Sequence, residues 1–211
     1  MRSNYFIYAL RSRDKRKLQF RVLYDNTGSG VYMKEVEVKI PEIDRVAVEA
    51  KLRSLGASKT FEGDVETVFF DMPTKPIAKA NNLLRLRKKG SESELTFKRF
   101  VANKSAKVRE EYEIVVSDFD TTRLILESIG FVGYQRLKKH RSSYALKDGV
   151  TVDLDEYTGD FSYIPQLMEI EANDVATLHS HIKRLGFNPQ DAKPWTTFDL
   201  VNHYSGKREK N

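Results

Sequence analysis

The chain contains no cysteine, which excludes a disulfide framework, a thiolate zinc centre and a cysteine nucleophile, and which fits a reducing compartment such as the cytoplasm. It has no run of about 18 uninterrupted apolar residues, so no segment reads as a transmembrane helix. Histidine is scarce: His140, His179, His181 and His203 are the only four. His179 and His181 stand two apart, so they face different sides of a helix and make a poor metal site, and all four read as surface residues. Ser142 and Ser143 lie beside His140 without a third group to orient the imidazole, so they do not form a nucleophile with its base. No Gly-x-x-x-x-Gly-Lys-Ser/Thr loop occurs, so any bound phosphate must be held by side chains. Asn4–Leu10 is apolar but short, has Arg2 alone ahead of it and runs into Arg11–Lys17 with no small-residue cleavage site, which is not a secretory signal.

What is present is enough for one core. The 211 residues are 40% hydrophobic and carry a formal charge of +6, a balance that by itself would suggest an anionic partner. Its placement removes that reading. Residues 1–32 hold seven Lys/Arg against Asp14 and Asp25, a net of +5, which leaves +1 for residues 33–211. The chain therefore reads as a basic extension over 1–32 that packs weakly or stays mobile, with Thr27–Gly30 as a linker, followed by one domain over 33–211. Nucleic acid is not the expected partner, because the basic run 11–17 is a solvated charge run.

From Met33 onward one pattern occurs three times: Glu-x-Glu on a strand, a helix start signal, and a helix ending in an apolar residue followed by glycine. The copies are Glu35-Val36-Glu37 with Asp44 and Leu55-Gly56, Glu111-Tyr112-Glu113 with Ser117 or Asp118 and Ile129-Gly130, and Glu169-Ile170-Glu171 with Asn173 or Asp174 and Leu185-Gly186. Side chains alternate across a strand. Glu35, Glu37 and Lys39 therefore share one face opposite Val36 and Val38, Arg85 and Arg87 share another, and Asp153 and Asp155 lie opposite Val152 and Leu154. About eight strands follow from this parity, over 34–40, 66–71, 83–89, 93–101, 107–116, 134–146, 149–156 and 166–172. For one strand, a charged side facing water is the ordinary design. Acidic and basic pairs recurring on nearly every strand point instead to an α+β fold: a closed eight-stranded antiparallel β-barrel with a polar lumen and helices packed on its outside.

Two like charges about 4 Å apart repel by roughly 4 kcal/mol at an effective dielectric near 20. A lumen lined by Lys39, Arg85, Arg87, Lys98, Lys139 and Arg141 is thus a binding site rather than a stabilising core. Clustered Arg and Lys suit phosphate oxygens. Paired carboxylates without cysteine suit Mg²⁺ or Mn²⁺. A polyphosphate with its metal satisfies both sets.

The Glu35-Val36-Glu37-Val38-Lys39 segment resembles the Glu-x-Glu-x-Lys signature of the CYTH superfamily, the triphosphate tunnel metalloenzymes, among them class IV adenylate cyclases, thiamine triphosphatases and inorganic triphosphatases. The order of later elements sharpens the match: Leu84-Arg85-Leu86-Arg87, Leu95-Thr96-Phe97-Lys98, Arg109–Glu113, Lys139-His140-Arg141, Leu154-Asp155-Glu156 and Glu169-Ile170-Glu171. The resemblance covers about residues 33–204. It implies that Glu35, Glu37, Lys39 and Lys98 are catalytic and that Lys39, Arg85, Arg87, Lys98, Lys139, Arg141 and Lys193 hold the phosphates. It further implies that Glu35, Glu37, Glu111, Glu113, Asp155, Glu169 and Glu171 bind the metal. Thr67 and Phe69 stand where the family often carries Asp and Tyr. The implied reaction is in-line attack of an oxygen on phosphorus, by water in a triphosphatase or by the ribose 3′-hydroxyl in a cyclase. The substrate is ATP, thiamine triphosphate or tripolyphosphate, between which the motifs do not choose. A sensor that binds nucleotide or polyphosphate without turnover is the alternative, and the oligomeric state stays open, a homodimer included.

Overall fold

The structure, a computed structural model, describes Leu23–Tyr24, Gly30–Val31 and residues 36–101 and 108–208. The chain divides into two units, Met1–Lys34 and Glu35–Asn211. In the first, β1 (Leu23–Tyr24) pairs antiparallel with β2 (Gly30–Val31), so Gly30 belongs to a strand rather than to a linker. The rest of the basic extension lies outside the described residues.

The second unit is built on one eight-stranded antiparallel sheet. Its strands are β3 (Val36–Pro41), β4 (Ser58–Asp71), β5 (Leu83–Lys89), β6 (Glu92–Val101), β7 (Val108–Val116), β8 (Val132–Ala145), β9 (Thr151–Thr158) and β10 (Leu167–Ala172), in the order β3-β10-β9-β8-β4-β5-β6-β7. The eight strands are those of the expected barrel, but its closure is not seen: among the described residues no hydrogen bonds join β3 to β7. The reason lies partly on the outer edge of β3, where the Lys39 N–H and C=O both bond to the backbone of Lys193, at 2.8 Å each. That bridge occupies groups that another strand would need. β4 is also longer than expected, because it starts at Ser58 and pairs with β8 along most of its length.

Helices α1 (Arg45–Ser54), α2 (Pro76–Lys79), α3 (Phe119–Ser128), α4 (Val175–Arg184) and α5 (Thr197–Arg208) complete the unit. The three repeated helices begin as the capping side chains require: Asp44, Asp118 and Asp174 accept from the N–H of Ala47, Thr121 and Thr177. They end alike too. Gly56, Gly130 and Gly186 take φ of 74°, 99° and 95°, which lets the following N–H of Ala57, Phe131 and Phe187 reach back to the carbonyls of Leu52, Leu126 and Ile182.

The apolar stripes of these helices cover one face of the sheet, here called the outer face. Val48, Leu52, Leu178 and Ile182 pack on Val152, Leu154, Met168 and Ile170, while Phe119 and Leu126 pack on Val68, Phe70, Leu84 and Leu86. His181 is buried rather than on the surface: its Nδ1 lies 3.0 Å from the Thr177 carbonyl oxygen and its Nε2 3.1 Å from Arg184. On the opposite, inner face an apolar cluster lies at one end, where Leu200 and Tyr204 of α5 meet Phe69, Leu137, Tyr157 and Leu167. Among the described residues no helix is long and apolar enough to cross a membrane.

Candidate functional site

Strand register assembles the charged side chains, because residues directly opposite on paired strands share a face. Lys39 faces Glu169, Glu169 faces Asp153, and Asp153 faces Ser143. Arg141 faces Asp155, and Glu37 faces Glu171. On the other half of the sheet Arg85 faces Thr96, which faces Glu113, and Arg87 faces Glu94. Lys98 stands opposite Glu111 and Leu83.

Burial decides whether this face is wet or enclosed. Thr96, Asp155, Lys39 and Arg141 are 0, 1, 3 and 6% exposed, so the centre of the ionic face is withdrawn from water, while Glu37 at its margin is exposed and the flanking Arg85, Arg87 and Lys139 are half-buried. A buried charge survives only with partners. Arg141 donates from Nε and Nη2 to the two oxygens of Asp155, both at 2.6 Å, donates from Nη1 to Asp153, and lies 3.4 Å from Glu169. Lys139 donates to Asp155 at 2.6 Å. Lys39 donates to Glu37 and approaches Glu169 to 3.1 Å. Because the Lys39 backbone bonds outward to Lys193, its pairing with Glu169 is of the non-hydrogen-bonded kind, in which side chains approach closely. Arg87 donates to Glu94 at 2.7 Å, while Thr96 donates to Glu113 at 2.8 Å and accepts from Arg85 at 3.2 Å.

These contacts set the protonation states. Burial opposes every charge in the cluster, and the outcome depends on which partners outweigh it. The cations Lys39 and Arg141 hold Glu169 well below the ordinary carboxylate range, and Arg141 and Lys139 likewise pull Asp155 down. Glu169 and Glu37 more than offset burial at Lys39, which stays protonated above the usual lysine value. Lys139 goes the other way, because burial and its neighbour Arg141 outweigh Asp155 and Glu169. Lys89 is also pulled down, by burial foremost.

The structure thus brings together Glu37, Lys39, Lys139, Arg141, Asp155, Glu169 and Glu171 on one half of the inner face, and Arg85, Arg87, Lys98 and Glu113 on the other. Glu35 and the side chain of Glu111 lie outside the described residues. Lys193 contributes its backbone to β3, while its ammonium lies 3.5 Å from the Gln190 carbonyl oxygen. Thr67 lies opposite Arg87 and Phe69 opposite Arg85. Sequence reasoning left Asp153, Glu94, Thr96 and Lys89 out of the site, although parity already put each beside a chosen residue. A hollow of about 300 Å³ beside α5, with Pro41, Asp191, Lys193, Trp195, His203 and Tyr204 in its wall, has no cluster of cations and is not the candidate site. All the carboxylates of the site are oxygen donors, yet among the described residues no three ligating side chains gather as a metal site.

Comparison with known proteins decides the family, since the CYTH domain pattern matches residues 33–187. The chain belongs to the CYTH family. A Methanocaldococcus jannaschii protein provisionally named an adenylate cyclase is 27% identical over 127 residues, spanning 60% of this chain and 72% of its own. The solved structure of the PH1012 protein from Pyrococcus horikoshii aligns with this CYTH chain at a TM-score of 0.64 and 25% identity, covering 80% of this chain and all of its own. A Hippeastrum protein provisionally named an adenylyl cyclase and described as having a dominant triphosphatase activity shares the fold, at a TM-score of 0.57 and 17% identity over 80% of this chain and 94% of its own.

Proposed function

We propose that this CYTH protein is a divalent-cation-dependent enzyme that cleaves a P–O–P bond of a triphosphate lying on the inner face of the sheet. The observation that carries the reading is the burial of Lys39 and Arg141, with Lys139 half-buried beside them, within one ion-pair cluster on the inner face. Ion pairs of this kind seldom repay their own desolvation, so their presence fits a site for an anion better than a stabilising core. The names of the relatives agree with acyclic or cyclising attack on a triphosphate alike.

Glu37 and Glu171 stand directly opposite each other, which puts their carboxylates on one stretch of the inner face. With Glu169 and Asp155 they are all oxygen donors, of the kind that suits Mg²⁺ or Mn²⁺, and such an ion would polarise phosphoryl oxygens and offset charge on the leaving phosphate. The chain's own part is positional. Arg141 is a fixed fork, held by Asp155, Asp153 and Glu169, and Lys39 and Lys139 are point charges on either side of Glu169 and Asp155. Phosphate oxygens would compete with these carboxylates for the same donors, holding the triphosphate in line without any helix N-terminus. Lys98 and Arg85, from the facing half of the sheet, would complete the cradle.

The test is turnover of tripolyphosphate, ATP and thiamine triphosphate with Mg²⁺ or Mn²⁺, with product analysis. Cyclic AMP with pyrophosphate means cyclisation, and ADP with phosphate means hydrolysis. Lys39→Ala and Glu37→Ala should each lower kcat/KM by about 10²-fold or more, a loss of about 2.7 kcal/mol in transition-state stabilisation. Parent-like activity in both variants removes the site. A second reading, a sensor that binds polyphosphate without turnover, is favoured by the fact that Glu37, Asp155 and Glu169 already have basic partners. Thermal stabilisation by tripolyphosphate with no product from any substrate would select it.

A further inference from the structure

Register extends the row that holds Lys39 and Glu169 beyond the ion pairs. Asp153 on β9 faces Ser143 on β8, and Ser143 faces Phe61 on β4, so five adjacent strands contribute Lys39, Glu169, Asp153, Ser143 and Phe61 to one line across the inner face. At one strand spacing per step, Phe61 lies about 14 Å along the sheet from Glu169.

Two atoms in the middle of this row lack what buried polar atoms almost always have. Asp153 gives one carboxylate oxygen to Arg141, but its Oδ1 is buried without a hydrogen-bond partner, and so is Oγ of its neighbour Ser143, a residue only 2% exposed. Leaving such a group unmet costs about 1–3 kcal/mol. An ionised phosphate is the wrong guest, because its oxygens bring no proton for the unmet Asp153 oxygen. A hydroxyl suits both: it can donate to the carboxylate oxygen and exchange a hydrogen bond with the serine. Phe61, next in the row, is partly exposed and offers a ring. The Lys89 ammonium sits 4.6 Å from its centroid.

We infer that Ser143 and Asp153 form a subsite for sugar hydroxyls, that Phe61 faces the ring beyond them, and hence that the preferred substrate is a nucleoside triphosphate rather than tripolyphosphate or thiamine triphosphate. The inference rests on the triphosphate reading above and deepens it. Tripolyphosphate has no organic part, and the thiamine ester has no sugar diol, so neither can satisfy Asp153 Oδ1 and Ser143 Oγ.

Calorimetric titration of the parent with ATP, 2′,3′-dideoxy-ATP and tripolyphosphate, each with Ca²⁺ in place of the catalytic ion, tests this. ATP should bind about 10-fold or more tightly than dideoxy-ATP. In Ser143→Ala that ratio should fall to about 2 or less, and in Phe61→Ala ATP should weaken while the ratio between ATP and dideoxy-ATP persists. Equal affinity of the parent for ATP and dideoxy-ATP overturns the inference and leaves the triphosphate reading standing when tripolyphosphate binds. Absence of binding by all three overturns both. An undiminished ratio in Ser143→Ala, with the variant shown folded by its far-ultraviolet dichroism, also overturns the subsite.

Discussion

Replacing Asp155 by Asn keeps the side-chain volume and removes one charge from the centre of the cluster. Asp155 is 1% exposed and accepts from Arg141 Nε, Arg141 Nη2 and Lys139 Nζ, each at 2.6 Å. Arg141 retains Asp153 and Glu169, whereas Lys139 has Asp155 as its hydrogen-bond acceptor among the described residues. The asparagine amide would also turn donors toward donors. Removing one partner of a buried pair costs about 3–5 kcal/mol, and at about 2–4 °C per kcal/mol for a domain of this size the Tm should fall by roughly 6–20 °C. Thermal melts and urea titrations in EDTA measure this directly. If the freed cations are phosphate ligands, the same concentration of tripolyphosphate should stabilise the variant more than the parent, the variant gaining about 2.7 kcal/mol at a hundred times its own Kd. A loss below about 1 kcal/mol, or a gain from tripolyphosphate no larger than in the parent, would refute the account of Asp155 as the acceptor that holds Arg141 and Lys139 in place.

Acid should act through the same carboxylates. Asp155 and Glu169 are held low in the folded state, so their contribution is present above the ordinary carboxylate values near 4 and is lost as pH falls through the lower folded ones. The Tm of the parent should therefore drop below about pH 4, and Glu169→Gln should flatten that drop; an unchanged profile speaks against the ion pairs. Lys139 is pulled below the ordinary lysine value, so affinity for tripolyphosphate should weaken at a lower alkaline pH than in Lys139→Arg, as titration calorimetry across pH 7–10 would reveal. On the outer face, Leu52 is 0% exposed under α1, and Leu52→Ala should cost about 2–5 kcal/mol in urea unfolding; a smaller loss would mean that α1 does not seal that face.

Local pattern determined much of this protein before any contact was known. Asp44, Asp118 and Asp174 started helices and Gly56, Gly130 and Gly186 ended them because capping and left-handed backbone are matters of a few consecutive residues. Parity likewise separated Arg85 and Arg87 from Leu84 and Leu86, because alternation is a property of a single strand. What only the tertiary structure decided is which strand lies beside which. Register set Glu37 against Glu171, joined Arg141 to both Asp153 and Asp155, and ran one row from Lys39 to Phe61, none of which follows from spacing along the chain. It also put Lys193, more than 150 residues away, against the outer edge of β3, and among the described residues β3 and β7 are not joined. His181 shows the same limit: its helix position was legible, but its burial depended on how α4 settles on the sheet.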